Sequence, residues 1–284
     1  MTVGRPFIEF IQSQALPWQD GLYGRNDPGI DSKLLSLDEE TGASSLLVRY
    51  PAGYTRGEGV HHLDVDEEFL VLHGSLTVSG VEYGKYSYAH FPAGTNTSGV
   101  ASRTGAVVLA FFSGEPRFRD GEAPAGMLDE RRLVTKVDGF AGEWGGNFHP
   151  TFPPGAGRKW LRRDPVDGEE TWLLGTMPLR SGRKPEKHPV VEEMYLLAGE
   201  LAGPLGLMRA GCYFWRPPEE WHGPFGSPTG NLMLFRTKGG PLSTVYTEHD
   251  VDFTWTPEHR PILPPDLAAY GAEPLPDQPG CLCF

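Results

Sequence analysis

The chain has 284 residues, 37 acidic against 25 basic side chains for a formal charge of −12, and 39 % hydrophobic residues. That balance fills a globular core but excludes a phosphate-backbone binder, which needs clustered Lys and Arg; the densest basic patch, Arg158 to Arg163, reads as a solvated strand flank. Three cysteines build no disulfide framework, the start at Met1 shows no apolar signal segment and no run approaches a membrane span, so a cytoplasmic chain without nucleic-acid or membrane partners is expected.

In chain order, the sequence is written twice. Pro6 to Ile11 followed by Trp18 is answered by Arg131 to Val137 followed by Trp144, an offset of 126. Asp38 to Gly42 and then Ser45 to Val48 recur as Asp164 to Gly168 and Thr171 to Leu174 at the same offset. His62, Glu67, Glu68 and Gly74 are answered by His188, Glu192, Glu193 and Gly199. Further on, Gly105 to Phe112 is answered by Gly230 to Thr237 at 125. Between these landmarks lie runs of five to eight residues rich in Val, Leu, Phe and Tyr, punctuated by turns such as Pro51 to Gly53, Ser79-Gly80, Pro92 to Gly94 and Pro217-Pro218. Such short strands with 37 Gly and 27 Pro leave little room for helix and point to an all-β fold of sandwiches or barrels. The expected organisation is a first barrel over residues 1–120, a linker near Arg117 to Glu130, a second barrel over 131–256 and a Pro-rich tail over 257–284 in extended or irregular form.

The motifs resemble the cupin superfamily, whose first motif is G-x5-H-x-H-x(3,4)-E-x6-G and whose second is G-x5-P-x-G-x2-H. In the second half Glu192 and Gly199 keep the E-x6-G spacing, His188 takes the second histidine place, and Gly211, Pro217 and His222 follow the second motif. In the first half His62, Glu67, Gly74 and the Pro92/Gly94 pair match likewise. The tryptophan ahead of each copy and the doubled glutamate are similar to the ChrR-like branch and its bicupin relatives. The resemblance implies two tandem cupin barrels, of double-stranded β-helix or jelly-roll type. It also implies an inward-facing metal set in the second: His188, Glu192 and His222, with Glu186 at the leading histidine position as a fourth ligand or a catalytic base. Glu186 could equally sit on a solvated loop among Arg183, Lys184, Pro185 and Lys187. Two imidazoles with carboxylates suit Fe(II) and equally Mn(II), and do not exclude Zn(II); Fe(II) is the cofactor expected.

The first half reads as eroded. Val60 and Thr97 stand where the leading and the motif-two ligands belong, neighbouring His61 and His62 face opposite ways on a strand, and Asp64 to Glu68 reads as a solvated acidic turn with one inward member. His73, His90, His149, His249 and His259 read as surface or turn histidines, and Cys212 as an inert packed thiol. Cys281 to Phe284 satisfies a C-a-a-X box formally, but the Pro- and Asp-bearing approach and the internal Cys283 argue against prenylation. Trp172, Tyr195, Phe214 and Trp215 are expected to pack the second barrel or line a pocket for a flat substrate.

By this resemblance the chain is a metal-dependent bicupin enzyme with a small-molecule substrate, foremost a non-heme Fe(II) dioxygenase of a small oxygenated ketone or phenolic compound. The alternatives are a metal- or ligand-sensing cupin without catalysis and a cupin isomerase, hydrolase or lyase. A homodimer is expected by analogy with cupins that pair through sheet edges.

Overall fold

The structure is a computed structural model and describes residues 4–22, 29–57, 59–146, 154–273 and 282–284. His149, Cys281 and the tail prolines Pro274, Pro276 and Pro279 lie outside the described residues. Strands dominate, with three short 3₁₀ turns as the helical content of what is described. Among the described residues no helix is long and apolar enough to cross a membrane.

The repeat in sequence is a repeat in topology. In the first unit the large antiparallel sheet runs, by neighbouring strands, Val134–Asp138, Ser87–Phe91, Glu67–Gly74, Ala106–Phe112, Ser44–Tyr50, Asp31–Leu37 and Gln19–Asp20. In the second it runs Ile8–Gln12, Cys212–Arg216, Val191–Gly203, Asn231–Lys238, Glu170–Thr176 and Ala156–Arg163. Smaller sheets accompany each, among them the pair His61–Leu63 with Phe118–Asp120 and its counterpart Glu186–Lys187 with Val245–Tyr246. This is the expected all-β, tandem jelly-roll architecture.

The division of the chain is not the contiguous one that the repeat suggests. One compact unit comprises Met1–Arg5 with Pro17–Gly142, the other Pro6–Leu16 with Glu143–Phe284. The amino-terminal strand Ile8–Gln12 pairs with Cys212–Arg216, while Val134–Asp138, read as the opening of the second barrel, pairs with Ser87–Phe91 of the first. Ile8–Gln12 is buried and brings Phe10 into the core of the second unit, whereas Val134–Asp138 is partly exposed at the edge of the first. Within the described part of the Pro-rich tail, residues 257–273 carry one 3₁₀ turn at Ala268–Tyr270 and a bridge from Ile262 to Glu9 within the second unit.

Alternation along each motif strand sorts the side chains. Phe69 and Val71 enter the core cluster of the first unit on the same side as Glu67, and Met194 and Leu196 enter that of the second on the side of Glu192. The second member of each doubled glutamate faces the other way and is structural. Glu68 accepts a hydrogen bond from Tyr88 at 2.8 Å, and Glu193 accepts one from Tyr213 at 2.7 Å. The motif glycine is required by the same geometry in both halves. A Cβ at Gly74 would lie 1.9 Å from the Gly105 carbonyl oxygen and one at Gly199 2.0 Å from that of Gly230, both at positive φ.

Candidate metal centre

The second motif set converges inside the second unit. Backbone hydrogen bonds of 2.9 Å in each direction tie Glu186 to His222, which removes Glu186 from the solvated-loop alternative and faces it toward the imidazole. His188 follows two residues later on the same side of the chain, and Glu192 opens the long strand Val191–Gly203. Glu186, His188 and His222 each bring one donor atom within 4.8 Å of the others, and among the described residues this is the one such cluster of three. Glu192 lies between the two imidazoles, its Oε1 3.6 Å from His188 Nε2 and its Oε2 3.6 Å from His222 Nε2. Glu186 Oε1 is 4.0 Å from His222 Nε2. These separations exceed hydrogen-bond length and fit groups arranged around a shared point rather than bonded to one another.

The histidines carry the test of fit. His188 Nδ1 donates to the Ser243 carbonyl at 2.9 Å and His222 Nδ1 to the Glu220 carbonyl at 2.9 Å. Both rings are thereby fixed with the Nε2 lone pair turned inward, the arrangement found where a second group orients a metal-binding imidazole. Both Nε2 atoms are buried without a hydrogen-bond partner. Burial, then Arg216 and His188, hold His222 well below the ordinary histidine range, so its ring is neutral and its lone pair available. Burial, then Glu192, raises the Glu186 carboxyl above its ordinary value. A buried pair of orphaned acceptors beside two carboxylates is costly unless a cation joins them.

Two residues that hold the site were not legible in the motif. Arg216, 1 % exposed, contacts Glu192 Oε2 through Nη1 and grips Glu9 with Nε to Oε2 at 2.8 Å and Nη2 to Oε1 at 2.7 Å. Glu192 therefore has Oε2, on the His222 side, committed to Arg216 and offers Oε1 on the His188 side. Glu9 arrives on the amino-terminal strand, where an irregularity in register between Glu9 and Ile11 lets Phe10 join the core while its neighbour reaches Arg216. The signal for Arg216 was available in the repeat, because its partner position is Phe91: Arg216 pairs with Glu192 across the strands as Phe91 pairs with Glu67.

The site opens on a cavity of about 170 Å³ lined in part by Trp172, Phe214 and Phe235. Trp172 stacks on Phe235 with ring centroids 5.5 Å apart and planes 8° from parallel. Trp172 and Phe214 are thus pocket residues, whereas Tyr195 faces the other side of its strand, with its hydroxyl on Ser13 and the Cys283 carbonyl. Cys212 is the packed thiol expected, burial pushing it up to about 12. Of the basic run Arg158 to Arg163, only Arg163 is a solvated flank. Arg158 lines the cavity, Lys159 is buried, and Arg162 is buried against Asp164.

The first unit closes the corresponding space. His61 bridges Thr97 as Glu186 bridges His222, so His61 rather than Val60 holds the leading position, and Leu63 rather than His62 answers His188. Leu63 belongs to the core cluster, joined by Phe69, Tyr83 and Phe91, whose rings meet edge to face. His62 instead bonds the Gly121 carbonyl at 3.0 Å. In the acidic run Asp64 pairs with Arg119 and Asp66 with Arg132, leaving Glu67 as the inward member. Of the histidines read as superficial, His73 and His249 are exposed, but His90 is 2 % exposed and bonds the Arg132 carbonyl at 2.9 Å.

Comparison with known proteins fits this architecture. A "putative dioxygenase" from Nostoc punctiforme superposes with a TM-score of 0.74 at 21 % identity, covering 83 % of this chain and 87 % of that one. Oxalate decarboxylase from Bacillus subtilis superposes with a TM-score of 0.51 at 15 % identity over 84 % of this chain and 78 % of that one. At these identities the likeness concerns the fold alone. No curated protein matches the sequence. The family described as "Domain of unknown function (DUF4437)" matches residues 9–244, reaching from the arm glutamate past the last strand of the second sheet, and the chain belongs to that family.

Proposed function

We propose that the chain is a metal-dependent enzyme, a non-heme Fe(II) dioxygenase acting on a small oxygenated ketone or phenolic compound in the second unit. The observation that carries the metal is the pair of buried Nε2 atoms of His188 and His222 without partners, each ring fixed by a backbone carbonyl. His188, His222 and Glu186 would hold the ion, with Glu192 Oε1 as the fourth donor. Two imidazoles and carboxylates favour Fe(II), then Mn(II), and admit Zn(II). An ion bound there would supply Lewis acidity and open positions for substrate oxygen and O₂. The chain's own part is to exclude water with Trp172, Phe214 and Phe235 and to keep His222 neutral; Glu186, where it is not a ligand, is the proton acceptor beside the substrate. The tryptophan and doubled-glutamate pattern supports placing the chain near the ChrR-like cupins, and a cytoplasmic homodimer is proposed by analogy with cupins alone.

Elemental analysis of the purified full chain and oxygen uptake with diketones and hydroxyacetophenones test this reading. The expected result is one ion per chain and Fe(II)-stimulated uptake, both abolished in His222→Ala. Equal metal content in wild type and His222→Ala would overturn the metal assignment, and metal retention without uptake on any of these substrates would overturn the dioxygenase assignment.

A further inference from the structure

Three of the four candidate ligands in the second unit have a partner that fixes where they point. His188 is oriented by the Ser243 carbonyl, His222 by the Glu220 carbonyl and Glu192 by Arg216. Glu186 sits on a strand of two residues, and His222 holds its backbone. A glutamate side chain keeps three rotatable bonds that backbone pairing does not fix, so its carboxylate needs a partner of its own. Tyr246 is that partner. It stands directly opposite Glu186 in the antiparallel pair of Glu186–Lys187 with Val245–Tyr246, and its hydroxyl donates to the Glu186 carboxylate. Both residues line the cavity. The segment that carries Tyr246 serves His188 as well, through the Ser243 carbonyl and the Thr244 hydroxyl 3.3 Å from His188 Nδ1.

The first unit serves as a control within the same molecule. His61 bridges Thr97 as Glu186 bridges His222, and the residue opposite His61 is Asp120. Its strand, Phe118–Asp120, is exposed throughout. The strand pair therefore forms without a tyrosine at this place. Core packing does not call for one either, because Tyr246 is half-buried and lies outside the core cluster of the second unit. The tyrosine occurs in the unit that keeps the two buried imidazoles with unpartnered Nε2 atoms. A phenol is also suited to the task. It is a neutral donor, so it turns a carboxylate by one hydrogen bond and leaves its negative charge for a cation, whereas a guanidinium would offset that charge.

We propose that Tyr246 is a positioning residue of the metal centre, its hydroxyl holding Glu186 turned toward the point it shares with His188 and His222 so that the carboxylate serves as a ligand. This deepens the metal reading and rests on it. The test is a titration of Co(II) into the chelator-treated full chain, with visible absorption reporting the ligand set and the affinity read from the same curve. Wild type, Tyr246→Phe, Glu186→Ala and the double variant make a cycle. Tyr246→Phe removes one oxygen from a half-buried side chain, and circular dichroism in chelator checks that each variant is folded. Wild type is expected to bind one Co(II), and Tyr246→Phe to weaken it by about 10- to 100-fold and shift the absorption bands. In the Glu186→Ala background the same substitution should change affinity by less than about 2-fold, because Tyr246 then has no carboxylate to hold. A merely structural tyrosine would weaken both backgrounds alike, and that result overturns the proposal. Wild-type uptake with unchanged affinity and bands in Tyr246→Phe overturns it while leaving the metal centre standing. A wild type that takes up no Co(II) overturns the metal centre and this inference with it.

Discussion

Arg216 is the residue whose removal tests the electrostatic design of the second unit. It is 1 % exposed, Glu9 is 4 % exposed and Glu192 7 %, so three formal charges share a space nearly closed to water. Arg216→Ala leaves both carboxylates without their guanidinium partner, and breaking a buried pair in this way costs about 3–5 kcal/mol. Glu9→Ala leaves the guanidinium with Glu192 and should cost a similar amount. Because the residues form one network, the double variant Glu9→Ala/Arg216→Ala should cost about 1–3 kcal/mol less than the two single losses together. Urea unfolding in the presence of chelator, followed by circular dichroism and tryptophan fluorescence, measures all four corners of the cycle without a contribution from metal. Additivity to within about 0.5 kcal/mol would show that Glu9 and Arg216 act independently and would refute the network.

Three further outcomes follow from the same geometry. Fe(II) or Mn(II) at about 100 times its dissociation constant should stabilise the wild type by about 2.7 kcal/mol in thermal unfolding and leave His188→Ala unmoved; equal stabilisation of both places the ion elsewhere. Phe10→Ala, removing a ring 2 % exposed on the arm strand, should cost about 3–5 kcal/mol and lower the melting transition of the second unit in calorimetry, and a loss confined to the first unit would contradict the strand assignment. Burial raises the Glu67 carboxyl from 4.5 to about 7. Its folded pKa lies above its unfolded one, so between roughly pH 4.5 and 7 the unfolded chain releases this proton first and stability falls as pH rises. At about 1.4 kcal/mol per decade of pH the fall is at most about 3 kcal/mol for this partly exposed group, and it should be absent in Glu67→Gln; identical pH profiles for the two would show that Glu67 does not face the interior.

The sequence alone carried the duplication, the all-β class and the residues of the candidate centre, because these are written locally. Turn glycines that must avoid a carbonyl, alternating apolar residues and fixed motif spacings each constrain a few neighbouring positions. The repeat even held the clue to Arg216, in its opposition to Phe91. What sequence did not determine was which unit each edge strand joins, since the repeat sets Ile8–Gln12 and Val134–Asp138 in register although each pairs within the other's half. Only the tertiary structure brings Glu9 onto Arg216 across 207 residues, turns Arg158 from an apparent surface charge into a cavity wall, and exchanges His62 for Leu63 at the inward position of the first unit. Burial is a property of the assembled sheets, and a strand residue's neighbours across a barrel leave no mark at any fixed spacing along the chain.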